Sequence, residues 1–100
     1  MIKKLVRWLT GQPASKPHIY LLEFEDGVIK VGISTKPHQR IHQIHRSSGR
    51  VVKRKYVKAS PKARAVESEF IKKYQNCRIK NTEFFNMRFP AGKAFIARRL

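Results

Sequence analysis

The chain has 100 residues, of which 23 are Lys or Arg and 6 are Asp or Glu, so its formal net charge is +17 at pH 7. This length makes one domain with one modest core, and no apolar run approaches the roughly 20 residues that span a bilayer. One cysteine excludes an intramolecular disulfide, and four histidines without matching cysteines give no structural zinc pattern. The excess of positive charge makes nucleic acid the first partner to consider.

Residues 1–17 are predicted to form an amphipathic helix and a linker. From Met1 to Leu9, apolar residues recur at helical spacing and basic residues occupy the other side. Residues 10–17 are rich in Gly, Pro and Ser, as a connector would be. We expect the helix to dock on the domain, on a partner or in a homodimer, without stable membrane insertion. Arg7 interrupts the apolar region that a signal peptide needs, so an intracellular location is expected.

A β-hairpin is predicted next, from residues 19–24 and 28–33. The intervening Glu25-Asp26-Gly27 suits a three-residue loop with its glycine in the left-handed conformation. The strand pairing that this loop sets places Tyr20 and Lys30 on the same face of the sheet. A two-residue Asp-Gly turn would instead move Lys30 off that face.

A helix and a third strand are predicted after the hairpin. Residues 38–46 should be helical, with a hydroxyl cap and Pro37 near the start, and Ser47-Ser48-Gly49 should end the helix. Arg40 lies in the first turns, where it can reach back over the hairpin end. Residues 51–59 have the pattern of a strand and carry the densest group of basic residues.

The last third of the chain is predicted to hold two helices separated by a short closing strand over residues 83–87. The first helix should run from 60 to about 75, with a serine cap followed by a proline at the first helical position. Glu67 borders its apolar stripe. Because burying an unpaired carboxylate is costly, Glu67 needs an arginine, a set of hydrogen bonds or a metal ion. Residues 90–100 form the terminal helix.

Three short motifs and two single residues, in this order along the chain, resemble the GIY-YIG nuclease superfamily. The resemblance is in particular to its small phage and bacterial members usually described as DNA-binding. His18-Ile19-Tyr20 resembles the GIY element with its glycine replaced, and Lys30-Val31-Gly32 resembles YIG with its tyrosine replaced. Arg40 is similar to the family arginine, and Glu67 to the glutamate of a later helix. Glu83-Phe84-Phe85 resembles the Glu-Trp-Phe that closes the small members.

The predicted elements and this resemblance together imply an α+β fold for residues 18–100, with a small three-stranded antiparallel sheet flanked by helices. The resemblance also implies hydrolysis of DNA phosphodiester bonds with one Mg²⁺ or Mn²⁺ ion, in the cytoplasm of a bacterium or a phage-infected cell. Tyr20 would take the proton of the attacking water, and Lys30 would favour the phenolate and hold phosphate. Arg40 would bind the equatorial oxygens, and Glu67 would hold the metal.

Two of these assignments have alternatives. Glu67 could form a structural ion pair with Arg40 instead of binding a metal. His45 is a second proton-transfer candidate, although a solvated position on its helix is the simpler interpretation. Nine further basic residues are expected to contact phosphate. They are Lys36, Arg46, Arg50, Lys53, Arg54, Lys55, Lys58, Lys72 and Lys73.

Two other functions compete with the nuclease hypothesis. Because His18 and Lys30 depart from the family motifs, the chain could be a DNA- or RNA-binding module that keeps the scaffold without turnover. A basic adaptor that binds an acidic protein or a membrane surface through Met1–Leu9 is the third alternative. Under both the nuclease and the nucleic-acid-binding hypotheses, so small a domain has little surface for base recognition. Structure-guided or weakly specific recognition is therefore expected.

Overall fold

The computed structural model describes residues 16–100, so the predicted helix at Met1–Leu9 lies outside the described residues. Three strands form one antiparallel sheet in the order β2-β1-β3, which confirms the predicted α+β class. The elements are β1 (His18–Phe24), β2 (Ile29–Ser34), α1 (Pro37–Ser48), β3 (Val52–Ala59), α2 (Ala63–Lys73), a 3-10 turn (Gln75–Cys77) and α3 (Phe89–Arg99). Within this range, no helix is both long and apolar enough to cross a membrane.

The hairpin between β1 and β2 has the predicted three-residue loop. The amide of Phe24 donates to the carbonyl of Val28 at 3.0 Å, and the amide of Gly27 donates to the carbonyl of Phe24 at 2.8 Å. Gly27 has φ of +90°, a conformation that a residue with a Cβ rarely adopts. The resulting register pairs Tyr20 with Gly32 and Leu22 with Lys30.

Each face of the sheet packs against different helices, because alternate residues of a strand point to opposite sides. The α1 face carries a small apolar cluster of Tyr20, Leu22, Phe24, Ile41 and Ile44. The α2–α3 face carries the larger cluster, in which the strands contribute Ile19, Leu21, Ile29 and Val31 and the helices contribute Ala63, Val66, Phe70, Phe89, Phe95 and Ile96. Lys30 therefore belongs to the α1 face, as predicted, together with Tyr20.

The helix starts differ from the predictions. Helix α2 begins at Ala63, and Ser60 lies in the turn that precedes it. The Ser60 hydroxyl accepts from the amide of Lys62 at 3.0 Å, and the Ser60 carbonyl accepts from the amide of Ala63 at 3.1 Å. Helix α1 begins with Pro37 and has no side-chain cap. The predicted cap of α1 and the predicted first position of α2 were both wrong.

Residues 83–87 do not form the predicted strand. Only Phe85 pairs with the sheet, by exchanging hydrogen bonds of 2.9 and 2.8 Å with Ile29. This bridge lies on the outer edge of β2, the edge that does not face β1. It holds the two preceding residues, Glu83 and Phe84, beside β2, and so brings Glu83 to the edge of the sheet.

Candidate active site

The Tyr20 ring lies across Gly32, its cross-strand partner. A Cβ atom at position 32 would overlap both the hydroxyl oxygen and the adjoining ring carbon of Tyr20. Only glycine leaves room for this ring, so the glycine of the YIG-like element has a packing explanation. The contact carries the phenol from the central strand over the edge strand β2. Tyr20 is 2% exposed as a residue.

Arg40 lies near the Tyr20 hydroxyl. Burial raises the pKa of Tyr20 above its ordinary value, while hydrogen bonding by Arg40 and the Arg40 charge oppose the rise. The negative charges of Glu67 and Glu83 act in the same direction as burial. The phenol is therefore protonated at neutral pH in the free protein, and losing its proton would require added positive charge nearby.

Lys30 forms an ion pair with Glu83. The Lys30 Nζ donates to Glu83 Oε1, and the Lys30 side chain is 9% exposed whereas that of Glu83 is 60% exposed. This hydrogen bond and the Lys30 charge hold the pKa of the Glu83 carboxyl below its usual value. A nearly buried ammonium needs such a counter-ion.

Glu67 reaches the same region from α2. Burial raises the pKa of its carboxyl, and the charges of Arg64 and Lys30 oppose the rise. Among residues 16–100, the ion pairs closer than 4 Å do not include Glu67. The predicted alternative, a pair between Glu67 and Arg40, is therefore absent from the described part of the chain. Glu67 is a half-buried carboxylate held near a phenol and an ammonium.

We call these five residues the Tyr20 cluster: Tyr20, Lys30, Arg40, Glu67 and Glu83. Strands β1 and β2, helices α1 and α2 and the loop before Phe85 supply one residue each. Four of the five were singled out from the sequence. Glu83 enters the sequence prediction only as part of a motif, although one of six acids in so basic a chain is a usable signal.

The described residues contain no group of three or more His, Cys, Asp or Glu side chains able to enclose a metal ion. Mg²⁺ does not need such a group, because it keeps several waters and binds through one or two carboxylates plus substrate phosphate oxygens. Glu67 suits that kind of site, since its carboxylate is half-buried without a contacting cation. The residues present therefore fit a single ion held partly by substrate.

His45 does not join the Tyr20 cluster. It lies five residues after Arg40 on α1, which separates the two side chains by about 140° around the helix. The His45 Nδ1 is 2.9 Å from the carbonyl oxygen of Arg50. The side chain lines a groove between α1 and β3, together with His38 and Lys55. The sequence interpretation of His45 as a proton-transfer group does not fit this position.

The predicted phosphate contacts are spread around the molecule. Eight of the nine are exposed: Lys36, Arg46, Lys53, Arg54, Lys55, Lys58, Lys72 and Lys73. Arg50 is half-buried, pairs with Asp26 and lies 4.4 Å from the centre of the Phe84 ring. Arg54 is held at 2.5 Å by Glu23. On β3, Lys55 pairs with Leu22 and so belongs to the α1 face, whereas Lys58 pairs with Ile19 on the opposite face.

A family model described as the T5orf172 domain matches residues 17–98. The chain belongs to the T5orf172 domain family. This domain is found in phage proteins and in proteins that resemble homing endonucleases, and the family is associated with nucleic acids. None of the curated proteins and none of the solved structures compared with the chain matches it.

The whole Tyr20 cluster falls inside the matched T5orf172 domain. It combines one phenol, two cations and two carboxylates that interact electrostatically with one another. A phenol can exchange a proton, cations can bind phosphate oxygens, and a half-buried carboxylate can hold a divalent ion. This set of groups has the chemical capacity for phosphodiester chemistry.

Proposed function

We propose that the T5orf172 domain of this chain is an endonuclease that hydrolyses DNA phosphodiester bonds with one divalent metal ion, in the manner of the GIY-YIG nucleases. The observation that supports the proposal is that Tyr20, Lys30, Arg40 and Glu67 lie close enough to interact electrostatically. These residues come from four separate elements and match the four motif positions of the resemblance.

In this mechanism, Tyr20 accepts the proton of the water that attacks phosphorus. Its phenol must first lose its proton to solvent, and the positive charge of Arg40 favours the resulting phenolate, as a Lys30 ammonium on the same face of the sheet would. Lys30 and Arg40 also hold the negative oxygens of the scissile phosphate, whose charge grows in the transition state. Glu67 would hold the Mg²⁺ or Mn²⁺ ion, which supplies Lewis-acid stabilisation of the leaving 3′ oxygen when bound.

The test is cleavage of supercoiled plasmid, branched DNA and single-stranded DNA, each with Mg²⁺, with Mn²⁺ and with EDTA. Tyr20→Phe, Arg40→Ala and Glu67→Ala should each abolish metal-dependent nicking. Tyr56→Phe is the matched control, because Tyr56 is a half-buried tyrosine on β3 that faces the α2–α3 side, and it should retain activity. Full activity of Glu67→Ala would overturn the nuclease proposal.

The second candidate is a nucleic-acid-binding domain without turnover, acting on DNA or RNA. It is favoured by one observation, the pairing of Lys30 with Glu83, which neutralises the lysine that stands in place of the second family tyrosine. This candidate predicts salt-dependent binding to nucleic acid and no cut product with either metal. Nicking that is lost in Tyr20→Phe would exclude it.

A further inference from the structure

The Glu83 carboxylate contacts Lys30 and lies in the electrostatic field of two arginines. Lys30 donates directly to Glu83 Oε1. Arg78 and Glu83 line one open cleft of about 500 Å³, together with Asn81 and Thr82. The positive charges of Arg40 and Arg78 also act on the Glu83 carboxyl. Cations that hold an exposed carboxylate can hold another anion in its place.

The loop that carries Arg78 and Glu83 is held by its own hydrogen bonds. The Arg78 Nε donates to the carbonyl of Thr82 at 2.8 Å, and the Thr82 hydroxyl donates to the carbonyl of Ile79 at 2.7 Å. The amide of Phe84 donates back to the Thr82 hydroxyl at 3.1 Å. Arg78 is thus held in the lining of the cleft before any ligand binds, which lowers the entropy cost of binding.

The side chains of Glu83 and Lys30 differ in their exposure to solvent. The Lys30 side chain is 9% exposed and packed into the sheet face, whereas the Glu83 side chain is 60% exposed. A phosphate oxygen can accept the same Lys30 hydrogen bond and carries the same sign of charge as the carboxylate. Glu83 can therefore leave the site while Lys30 keeps an anionic partner.

We propose that Lys30, Arg40 and Arg78 form a binding site for one phosphate group of a nucleic acid, and that Glu83 occupies this site in the free protein until the phosphate displaces it. The inference rests on the proposed nucleic-acid function and adds Arg78 as a phosphate contact and Glu83 as a built-in competitor. Removal of the Glu83 charge should strengthen binding, and removal of the Arg78 charge should weaken it.

The first test compares Glu83→Gln with Glu69→Gln by fluorescence anisotropy of a short labelled DNA duplex without metal. Glu69 is the matched control because its side chain is 59% exposed and it pairs with one cation, Arg99, elsewhere on the surface. Both variants change the net charge equally. We expect Glu83→Gln to bind about 5-fold more tightly than Glu69→Gln. Equal or weaker binding by Glu83→Gln would overturn the inference.

The second test does not depend on the folding of Glu83→Gln. Arg78→Gln should bind the same duplex about 3-fold more weakly than Arg98→Gln, which removes an exposed charge from α3. Equal affinities of the two arginine variants would overturn the assignment of Arg78.

A third measurement separates this inference from the proposed function. Inorganic phosphate should raise the Tm of Glu83→Gln more than that of Glu69→Gln. If no variant binds DNA but this difference is present, the nucleic-acid function fails and the phosphate site stands. If DNA binds but phosphate shifts both Tm values equally and the duplex affinities are equal, the site fails alone.

Discussion

The hydroxyl end of the Tyr20 ring lies over Gly32, the residue opposite it on the neighbouring strand. The ring is enclosed, because Tyr20 is 2% exposed and belongs to the apolar cluster that includes Ile41 and Ile44 of α1. The pairing explains why a glycine belongs on an edge strand, where glycine is otherwise unfavourable. An aromatic ring that covers a cross-strand glycine restores the packing that the missing side chain loses.

Gly32→Ala should displace the Tyr20 ring, since the new methyl group overlaps it. We expect a loss of about 1–3 kcal/mol in the free energy of unfolding, measured by urea denaturation, as for other overpacked sites. Nicking activity should fall with it. In a Tyr20→Ala background the same substitution should cost less than about 0.5 kcal/mol, because the clash is gone. An equal cost in both backgrounds would contradict the packing explanation.

Glu67→Gln should make the protein more stable at neutral pH while it abolishes nicking. Burial raises the pKa of Glu67 in the folded state, so the folded protein favours the protonated form and loses stability as the pH rises through that pKa. The gain from glutamine should therefore be present at pH 7 and vanish below the unfolded pKa of glutamate. Thermal melts of both proteins from pH 3 to pH 8 measure it. A destabilised Glu67→Gln at pH 7 would show that the carboxylate is structurally paired.

Lys55→Gln should weaken DNA binding more than Lys58→Gln. Lys55 lies on the α1 face with Tyr20 and Lys30, whereas Lys58 lies on the opposite face of the same strand. Removing a phosphate contact should reduce the slope of log K against log salt by about 1 for Lys55 and leave it unchanged for Lys58. Binding measured at several salt concentrations gives both slopes. Identical slopes would mean that DNA does not approach from the α1 face.

His45→Ala should keep metal-dependent nicking within about 3-fold of the unsubstituted protein, because the His45 ring is turned toward β3 and the Arg50 carbonyl. Arg40→Ala, on the same helix, should lose nicking entirely. Initial rates on supercoiled plasmid compare the two. Equal losses would place His45 in the reaction and contradict the geometry of α1.

Much of the fold followed from local patterns in the sequence. The spacing of Glu25-Asp26-Gly27 between two β-prone runs predicts the loop, the register and therefore the shared face of Tyr20 and Lys30. Such patterns are reliable because turn geometry and strand alternation depend on residues only a few positions apart. Local patterns also gave the wrong start for α2, because Ser60 and the following proline suit a helix cap and a tight turn equally well.

Contacts between distant segments were decided only by the tertiary structure. Lys30 and Glu83 are 53 positions apart, and no local pattern pairs them. Their contact depends on the Phe85 bridge to β2, which replaces the predicted strand. Helix spacing separates Arg40 from His45, but which of the two faces the Tyr20 cluster depends on how α1 packs on the sheet. The sequence by itself thus determined which chemical groups the domain carries and how the hairpin orients two of them. Helix packing and a single backbone bridge decided which groups meet, because those contacts depend on how whole elements fit together.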